Sequence, residues 1–498
     1  MTKIVSIATL KFLFLLRFLI HQIPASGMII QFISGIFQMA NDSFSSLSIS
    51  KAQIANLESL GYKKMTPIQA QSLPQVLKGK DLIAKAKTGS GKTAAFGIGL
   101  LNNINPRFFG VQALVICPTR ELADQVGKEL RRLARSTPNI KLVLICGGKP
   151  LGPQIGSLEH GAHIVVGTPG RLQDHLHKGT LVLEGLKTLV LDEADRMLDM
   201  GFSEVMDDII SYTPERRQTL LFSATYPDTI EKMSRSIQRS PVRVTVESEH
   251  KESVIEQLFY EVKKHERNNS LLGLFEHYQP ENAIVFCHTK VQCDEVADFL
   301  RGYQIDALAI HGDLDQRERD QVLVRFSNNS CAVLVATDVA ARGLDIKSLK
   351  AVINYELPRD PEIYIHRIGR TGRAGEKGIA VSLFTQSEQV RVNAIADYQK
   401  KPSICDVPES LDRLSSYSLL APMVTIQLDS GRKNKLRPGD ILGALTGEAG
   451  LSGSDIGKID IFDMSSYVAL DSSAVRQALN YLAEGKVKGR SIRARKIK

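Results

Sequence analysis

Short apolar runs rich in β-branched residues alternate with segments of helical periodicity along most of the chain. In residues 41–245 these runs are DLIAKA, ALVICP, KLVLICGG, HIVVGTP, TLVLDEAD and TLLFSAT. After a charged stretch near 246–256 the alternation restarts with NAIVFCHT, DALAIHG, AVLVATD, AVINYELP and IAVSLF. Strands separated by helices form parallel sheets, and ligands bind at loops after the carboxyl ends of the strands. We therefore predict two successive α/β domains, over residues 41–245 and 246–400.

The last hundred residues have a different pattern. The periodicity lapses over residues 401–423, which are predicted to be a linker with a short helix. Residues 424–498 contain the strand pattern VTIQLDS, the helical pattern PGDILGALTGEAG, the strands KIDIFDM and YVALDS, and the helical pattern SAVRQALNYLAEG. The order βαββαβ predicts a small α+β domain of the split βαβ, or RRM-like, type.

Residues 1–40 form an apolar N-terminal extension that contains KFLFLLRFLI and MIIQFISGIFQM. Lys3 and the small residues near Ala25 resemble a signal peptide, but Lys11 and Arg17 interrupt the first run. Neither run reaches the length needed to span a bilayer. We expect an upstream extension that is not natively translated, with Met39 or Met28 as the start; a membrane-associating segment is the alternative.

Composition and charge narrow the class of protein. The chain has 498 residues, of which 43% are apolar, and this length is sufficient for two or three domains. Its net charge of +9 favours a polyanionic partner without proving one. The six cysteines include no CxxC pair, and four lie in apolar strand-like runs. Buried, reduced thiols in a cytoplasmic protein are therefore expected rather than a metal site.

Two segments carry the chemistry of nucleotide hydrolysis. AKTGSGKT places Gly89 and Gly91 where backbone N–H groups would surround phosphates, and it supplies the cation of Lys92. The strand TLVL ends at Asp192 and Glu193, where acidic groups would hold magnesium and orient water. The general motif begins with glycine, and here that position is Ala86, so a chance glycine turn is the alternative. The pairing with the later acids favours a nucleoside triphosphate site.

The second α/β domain contains candidate arginines for the γ-phosphate, and the first domain has no evident arginine for this role. HRIGRTGR (366–373) places Arg370 and Arg373 on a glycine-rich turn, where the alternative is an ordinary solvated basic loop. Because a phosphate-loop site needs cationic help at the γ-phosphate, we expect these arginines to act when the two domains close. ATDVAARGLD is expected to face the same cleft from the end of a strand.

In chain order, these motifs resemble those of a DEAD-box RNA helicase. The resemblance covers residues 44–400 and is carried by GYKKMTPIQ, AKTGSGKT, PTREL, GG, TPGR, DEAD, SAT, VFCHT, HGDLDQRER, ATDVAARGLD and HRIGRTGR. It implies two tandem RecA-like parallel-sheet domains followed by the small RRM-like domain. It also implies an RNA-stimulated ATPase that uses ATP and Mg²⁺.

The resemblance assigns residues to the nucleotide by position. Phe44 would pack on the adenine ring and Gln69 would read its edge, while Glu193 would be the general base and Thr93 and Asp192 would hold Mg²⁺. Lys92, Asp192, Glu193, Arg370 and Arg373 form the implied catalytic set. The implied ATP-binding set is Phe44, Gln69, Ala86, Lys87, Thr88, Gly89, Ser90, Gly91, Lys92, Thr93, Gly343 and Asp345. The residues implied to couple hydrolysis to strand separation are Asp195, Ser223, Thr225 and His366.

The resemblance also implies RNA contacts in both domains, through hydroxyl, backbone and a few cationic groups that grip sugar-phosphate without reading bases. Contacts to 2′-hydroxyls favour RNA over DNA. The implied contacts are Arg120, Gly148, Thr168, Gly170, Arg171, Thr289, Gly312, Gln316, Arg319, Thr337 and Asp338. One departure from the family is Met65, which stands where proline is usual and is expected to loosen that turn.

Residues 424–498 resemble the C-terminal domain of the bacterial DbpA-type helicases, through RPGDILGALTGEAGLSGSDIGKI and FDMSSYVAL. In that family this domain recognises a hairpin of large-subunit ribosomal RNA. Thr425 and Ser465 stand where RRM domains usually carry aromatic residues, which favours recognition through loops and edges over stacking across the sheet. Lys433, Lys435 and Arg437, together with the basic tail, are the candidate cations, and a solvated basic surface is the alternative.

The predicted function is an ATP-dependent RNA helicase that binds structured 23S ribosomal RNA and locally unwinds short duplexes during ribosome assembly. ATP and RNA are both expected to favour domain closure, which bends the RNA and melts a few base pairs. Pre-ribosomal particles are the expected partners; neither a membrane nor DNA is expected. The alternatives are an ATP-dependent RNA clamp or scaffold, a generic RNA helicase without rRNA specificity and, less favoured, a DNA-translocating helicase.

Overall fold

The structure is a computed structural model that describes residues 42–86, 89–226, 228–246, 255–341, 349–372, 377–408, 411 and 417–497. The N-terminal extension, and with it the expectation for residues 1–40, lies outside the described residues. Contacts divide the chain into two compact units that adjoin in sequence at residues 247 and 248.

The first unit is built on a seven-stranded sheet. Its strands are β1 (Leu82–Lys85), β2 (Ala113–Ile116), β3 (Leu142–Ile145), β4 (Ile164–Gly167), β5 (Thr188–Asp192), β6 (Gln218–Ser223) and β7 (Val242–Thr245). They lie in the order β3-β4-β2-β5-β6-β1-β7, and every pair is parallel. The carboxyl ends of all seven strands therefore share one edge.

Helices cover this sheet and bury its strands on both faces. They are α1 (Lys51–Ser59), α2 (Pro67–Leu77), α3 (Lys92–Asn103), α4 (Arg120–Leu133), α5 (Leu151–Glu159), α6 (Pro169–His177), α7 (Ala194–Asp199), α8 (Ser203–Ser211) and α9 (Asp228–Ile237). In β2, Val115 packs into one apolar cluster and Leu114 into another on the opposite face. Continuous apolar runs are typical of strands buried in this way.

The second unit begins with a sheet of the same design. Its strands are β8 (Ile255–Glu261), β9 (Ala283–Cys287), β10 (Ala307–Ile310), β11 (Val333–Thr337), β12 (Ala351–Asn354), β13 (Gly378–Phe384) and β14 (Ile404–Asp406). The order β10-β11-β9-β12-β13-β8-β14 repeats that of the first sheet, strand for strand. Its helices are α10 (Arg267–Tyr278), α11 (Lys290–Gly302), α12 (Gln316–Ser327), α13 (Asp338–Ala341), α14 (Pro361–Ile368) and α15 (Gln389–Gln399). The predicted pair of parallel-sheet domains is confirmed.

A small antiparallel sheet ends the second unit. In chain order its elements are β15 (Met423–Leu428), α16 (Pro438–Gly443), β16 (Ile456–Ile461), β17 (Ser466–Asp471), α17 (Val475–Glu484) and β18 (Ala494–Lys496), and the strand order is β16-β17-β15-β18. A single π-helical turn, Ala444–Glu448, continues α16. This is the predicted βαββαβ arrangement.

Three strands were not predicted, and each lies at or beside a sheet edge. β14 falls inside the segment expected to be a linker (401–423), and it pairs in parallel with β8. All three of its residues are exposed, so the strand produces no apolar run. β7 and β8 are likewise only partly buried. A continuous apolar run indicates a strand that is buried on both faces, and these three strands have no such run.

No helix among the described residues is long and apolar enough to cross a membrane. Five of the six cysteines are buried, as expected, whereas Cys405 of β14 is exposed. Burial raises the pKa of Cys117 well above its usual value. The buried cysteines therefore behave as apolar core residues rather than as reactive thiols.

Candidate functional site

The phosphate loop lies between β1 and α3, and after residues 87 and 88 the described part of the chain resumes at Gly89. Gly91 caps α3 with φ of +94°, a left-handed conformation that glycine adopts without strain. A Cβ atom at Gly91 would lie 2.5 Å from Nε2 of Gln69. Ser90 and Thr93 flank this position, whereas Lys87 and Thr88 lie outside the described residues. Ala86 is buried, and its N–H donates to the carbonyl of Ser223 over 3.0 Å.

Gln69 connects this loop to the start of α2. Its Nε2 donates to the carbonyl oxygen of Gly91 over 3.1 Å, and its Oε1 accepts from the N–H of Thr66 over 2.9 Å. Both ends of the amide are therefore engaged within the protein, and Gln69 is buried. The predicted nucleotide residues Gln69 and Gly91 are brought into direct contact, and the role of Gln69 at the adenine stays a prediction.

Met65 lies in the turn before α2, and its expected loosening of that turn stays a prediction. Its N–H donates to the carbonyl of Asp42 over 2.7 Å, and its side chain is buried. Proline has no N–H and would lose this hydrogen bond. Phe44 lies close by in the same apolar cluster, with its ring 6.1 Å from that of Tyr62 and only 4% of the residue exposed. Its predicted packing on adenine stays a prediction.

The loop and the end of β5 present buried polar atoms that other described residues do not satisfy. Nζ of Lys92, Oγ of Ser90 and Oδ1 of Asp192 are buried, and within the described ranges none of these atoms has a hydrogen-bond partner. Burial raises the pKa of Asp192 to about 6, although Lys92 acts in the opposite direction. Buried polar groups normally find partners, so three such atoms in one place indicate a site for a polar ligand. A cation that donates hydrogen bonds to phosphate oxygens and a carboxylate that binds a metal ion fit a nucleotide with Mg²⁺.

Asp195 is held by the segment that follows β6. Its Oδ2 accepts from the N–H of Ala224 (3.1 Å), the N–H of Thr225 (2.9 Å) and Oγ1 of Thr225 (3.0 Å). Burial acts to raise the pKa of Asp195, but these hydrogen bonds, the charge of Lys92 and the Ser223 hydroxyl lower it overall. The predicted coupling residues Asp195, Ser223 and Thr225 are thus in contact at the ends of neighbouring strands.

Glu193 forms a buried ion pair that the sequence analysis missed. It adopts a left-handed conformation (φ 54°) at the junction of β5 and α7. Its Oε2 accepts from Nη1 of Arg196 over 2.6 Å, and both side chains are almost fully buried. The available signal was the spacing of three residues at a helix start, which places an acid and a base on the same side of the first turn.

The RNA candidates of the first unit lie together at the ends of β2, β3 and β4, three neighbouring strands. Gly148 has φ of +73°, and a Cβ atom there would lie 2.0 Å from Nη1 of Arg120. Thr168 caps α6, and Gly170 lies in its first turn. Arg171 donates from Nη1 to the carbonyl of Lys149 over 2.9 Å. The predicted residues Arg120, Gly148, Thr168, Gly170 and Arg171 therefore share one region of the surface.

In the second unit the candidates lie after β9, β10 and β11, which are the topological equivalents of β2, β3 and β4. Thr289 caps α11 through its side chain, and Gly312 follows β10. Arg319 of α12 donates from Nη1 to the carbonyl of His311 over 3.4 Å, and Gln316 begins the same helix. Thr337 ends β11. The two sheets thus place their RNA candidates at equivalent edges.

Asp338 is organised by an arginine to which no role was assigned. Arg367 is buried and donates from Nε and Nη2 to the two carboxylate oxygens of Asp338, over 2.7 and 2.8 Å. Its Nη1 also donates to Oδ1 of Asn354 over 2.9 Å. Bidentate pairing of this kind fixes the carboxylate in one orientation. Nothing in the sequence HRIGRTGR distinguishes Arg367 from the candidate arginines Arg370 and Arg373.

The remaining candidates of HRIGRTGR and ATDVAARGLD are only partly described. His366 lies in the last turn of α14, and Arg370 is buried just beyond it. Arg373, Gly343 and Asp345 lie outside the described residues.

The basic loop, residues 432–437, is exposed but anchored. Lys433, Lys435 and Arg437 are exposed, whereas Leu436 between them is buried in the small domain. The N–H of Lys433 donates to the carbonyl of Asp463 over 3.0 Å. Nζ of Lys488 donates to the carbonyl of Lys435 over 2.7 Å, which brings the basic tail to the loop.

Two parallel sheets of one strand order, the first carrying a phosphate loop beside paired acids, define a nucleotide-hydrolysing protein of the tandem α/β class. Three family models match the chain: DEAD/DEAH box helicase over residues 66–233, Helicase conserved C-terminal domain over 263–375 and DbpA RNA binding domain over 425–496.

Comparison with individual known proteins gives the same result as the family models. The chain is 52% identical to the ATP-dependent RNA helicase DbpA of Escherichia coli (strain K12), over 91% of this chain and 99% of that helicase. It is 43% identical to the DEAD-box ATP-dependent RNA helicase CshA of Bacillus cereus, over 76% of this chain and 73% of that one. The solved structure of S. cerevisiae Dbp5 bound to RNA and ADP BeF3 is similar with a TM-score of 0.68 and 30% identity, over 74% of this chain and 96% of that chain. The chain belongs to the DEAD-box ATP-dependent RNA helicases and carries a C-terminal RNA-binding domain of the DbpA type.

Proposed function

We propose that this helicase acts on a hairpin of large-subunit ribosomal RNA, in which it locally unwinds short duplexes during ribosome assembly. The anchored basic loop (432–437) carries the proposal. A fixed set of exposed cations supplies phosphate contacts in one geometry, and the two parallel-sheet domains offer mainly groups that grip sugar-phosphate. The match of residues 425–496 to the DbpA RNA binding domain supports this choice of target.

The ATP site is proposed to work with the residues described above. Lys92 and the loop N–H groups would bind the phosphates, and Glu193 would accept a proton from the attacking water. Mg²⁺ would be held by Thr93 and Asp192, where it would neutralise phosphate charge. Arg370 and Arg373 are proposed to add positive charge at the γ-phosphate.

The test is the ATPase rate of the full chain against a panel of RNAs at fixed salt. The panel contains the hairpin from the peptidyl-transferase region of large-subunit rRNA, a scrambled hairpin of equal length, and poly(A). The proposal predicts half-maximal stimulation by the hairpin at a concentration at least about tenfold below that of the scrambled RNA, a difference of about 1.4 kcal/mol. Equal stimulation by all three RNAs would show that the protein is a helicase without rRNA specificity. A long-lived ATP-bound complex with little turnover would instead indicate an RNA clamp.

A further inference from the structure

Positive charge is concentrated where the seven parallel strands of the first unit begin. Their amino ends share one edge of the sheet, opposite the edge with the nucleotide and RNA candidates. The segments that lead from the preceding helices into these strands are residues 78–81, 104–112, 134–141, 160–163, 178–187, 212–217 and 238–241. They contain ten lysine and arginine residues against three acids, a net charge of +7, whereas the whole chain has a net charge of +9. We call these seven segments the amino-end edge.

The fold itself does not require this charge. In the second sheet, the segments before β9, β10 and β11 are equivalent to those before β2, β3 and β4. They are residues 279–282, 303–306 and 328–332, and they contain two acids and no lysine or arginine. Their three counterparts in the first sheet contain three lysine or arginine residues and no acid. The charge is therefore a property of the first sheet and not of this type of sheet.

The cations of the amino-end edge are not neutralised by nearby acids. None of the ten forms an ion pair with an acid of the described ranges. Asp81, one of the three acids, is buried and accepts from the N–H groups of Thr219 and Arg239 over 2.8 and 2.7 Å. Lys80 and Arg216 are exposed, and their side chains have no hydrogen-bond partner in the described part of the chain. Surface charge of one sign attracts polyanions.

Two arginines of this edge are held close together despite their equal charges. Nη2 of Arg239 donates to the carbonyl of Arg217 over 3.1 Å, and Nη1 of Arg217 donates to the carbonyl of Pro214 over 2.8 Å. Nε of Arg217 is buried and has no hydrogen-bond partner within the described ranges. Burial lowers the pKa of Arg217, and the charge of Arg239 acts in the same direction, whereas Asp81 raises it. The carbonyl groups orient these cations without neutralising them, and an anionic ligand would offset their repulsion.

Two exposed aromatic rings lie within the row of cations. Phe108 and Phe109 precede β2, the third strand in the sheet order, and they are 47% and 54% exposed. Buried Gln112 fixes their loop, because its Nε2 donates to the carbonyl of Phe108 over 2.8 Å and to that of Asn105 over 2.9 Å. The ring of Phe109 lies 4.9 Å from that of His163. Exposed rings among cations are typical of surfaces that bind single-stranded nucleic acid, where bases stack on the rings and phosphates contact the cations.

We propose that the amino-end edge is a second RNA-binding surface, which holds single-stranded RNA that flanks the target. Seven strands about 4.8 Å apart make this edge about 29 Å long. Contacts to phosphates and stacking on phenylalanine do not read base identity, so binding here is independent of sequence. An acidic protein would also match the cations, but the fixed and exposed rings favour RNA. The inference goes beyond the proposed function, because it does not depend on which hairpin the C-terminal domain recognises.

The test measures RNA binding by the full chain without nucleotide, using fluorescence anisotropy at several salt concentrations. One RNA is the rRNA hairpin alone, and the other carries a single-stranded poly(U) extension of about 30 nucleotides, longer than such surfaces usually hold. K80E/R216E reverses two exposed cations of the amino-end edge, and F109A removes one ring. K51E/K232E is the matched control, because it reverses two exposed cations that lie on helices of the same unit. ATPase stimulation by the hairpin alone checks that each variant is folded.

The proposal predicts that the extension raises the affinity of the unmodified protein about tenfold, and that K80E/R216E loses this gain but binds the hairpin alone within about twofold. For the extended RNA, the slope of log affinity against log salt should decrease by about 1.4 in K80E/R216E, because two phosphate contacts are lost. F109A should lose about fivefold in affinity for the extended RNA without a change in slope, because stacking is not ionic. K51E/K232E should keep both the gain and the slope.

An extension that gives no gain, or an equal loss in K51E/K232E, would overturn the proposal. A gain that K80E/R216E keeps would show that the extension binds elsewhere; this too would overturn it and leave the edge to an acidic protein partner. A scrambled hairpin with the same extension separates this inference from the proposed function. If it binds as tightly as the extended rRNA hairpin, the proposed function fails, while the gain from the extension still tests the second surface.

Discussion

Arg196 donates from Nη1 to Oε2 of Glu193 over 2.6 Å, and the two side chains form a buried ion pair at the start of α7. The pair places the proposed general base in one orientation, at a backbone position that is itself left-handed. Such a carboxylate is costly to bury without its partner. Because this ion pair orients the Glu193 carboxylate, Arg196 is a positioning residue for Glu193.

Replacing Glu193 by Gln is expected to remove most ATP turnover and to preserve binding. The amide keeps an oxygen that can accept from Arg196, but it cannot take a proton from water. Loss of a general base reduces the rate by about 10²–10⁴-fold. Single-turnover hydrolysis and binding of a fluorescent ATP analogue, measured on the same sample, check this. Near-normal hydrolysis in Glu193→Gln would show that another group is the base.

Replacing Arg196 by Ala is expected to destabilise the first unit by about 3–5 kcal/mol, because it leaves a buried carboxylate without its cation. The double variant E193Q/R196M removes both charges and should recover most of that loss. Urea unfolding of E193Q, R196M and E193Q/R196M gives the coupling between the two residues. If Arg196→Ala and the double variant lost equal stability, the unpaired carboxylate of Glu193 would not be the cause of the loss.

The raised pKa of Asp192 predicts how pH affects the protein without nucleotide. Because the folded state holds this proton up to about pH 6, the free energy of unfolding should fall as pH rises from 4 to above 6, by about 3 kcal/mol from this group. In Asp192→Asn the free energy of unfolding should not decrease in this way, and this variant should be more stable than the unmodified protein at pH 7. Denaturation of both proteins from pH 4 to 8 measures the difference. A difference that does not change with pH would contradict the assignment.

The same group predicts that Mg²⁺-dependent nucleotide binding weakens in acid. Metal binding needs the ionised carboxylate, so affinity should fall about tenfold per pH unit below about pH 6. Titrations with a fluorescent ADP analogue, with Mg²⁺ and with EDTA, separate the metal-dependent part. A metal-dependent affinity that stays constant down to pH 5 would exclude Asp192 as the titrating ligand.

Gly148 and Gly156 offer a matched test of the RNA surface in the first unit. Ala at 148 would place Cβ 2.0 Å from the guanidinium of Arg120 at a positive φ, whereas Ala at 156, in α5 and outside the predicted RNA contacts, meets no atom within 4 Å. We expect Gly148→Ala to weaken RNA binding about tenfold by displacing Arg120, a loss of about 1.4 kcal/mol. Gly156→Ala should bind RNA almost normally. Fluorescence anisotropy with a short single-stranded RNA measures both, and equal losses would remove the special role of Arg120.

The strands and motifs were largely predictable from sequence, and the contacts between distant residues were not. β2, β5 and β6 are continuous apolar runs because both of their faces are buried, but β14 is exposed and produced no such signal. The phosphate loop is local in sequence, so its spacing identifies it. The pairs Arg367–Asp338 and Asn328–Thr425 depend on how separate elements pack, which no local pattern records.

The central claim is that an ATPase blind to RNA sequence is directed to its target by the basic loop of the C-terminal domain. Lys433→Glu reverses one exposed charge in that loop, and Arg476→Glu reverses one exposed charge elsewhere in the same domain. The deciding measurement is the ratio of ATPase stimulation by the rRNA hairpin to stimulation by poly(A), at one salt concentration. The account predicts that Lys433→Glu lowers this ratio at least about tenfold through the loss of loop contacts, while Arg476→Glu leaves it within twofold. An unchanged ratio in Lys433→Glu, or an equal fall in both variants, would contradict it.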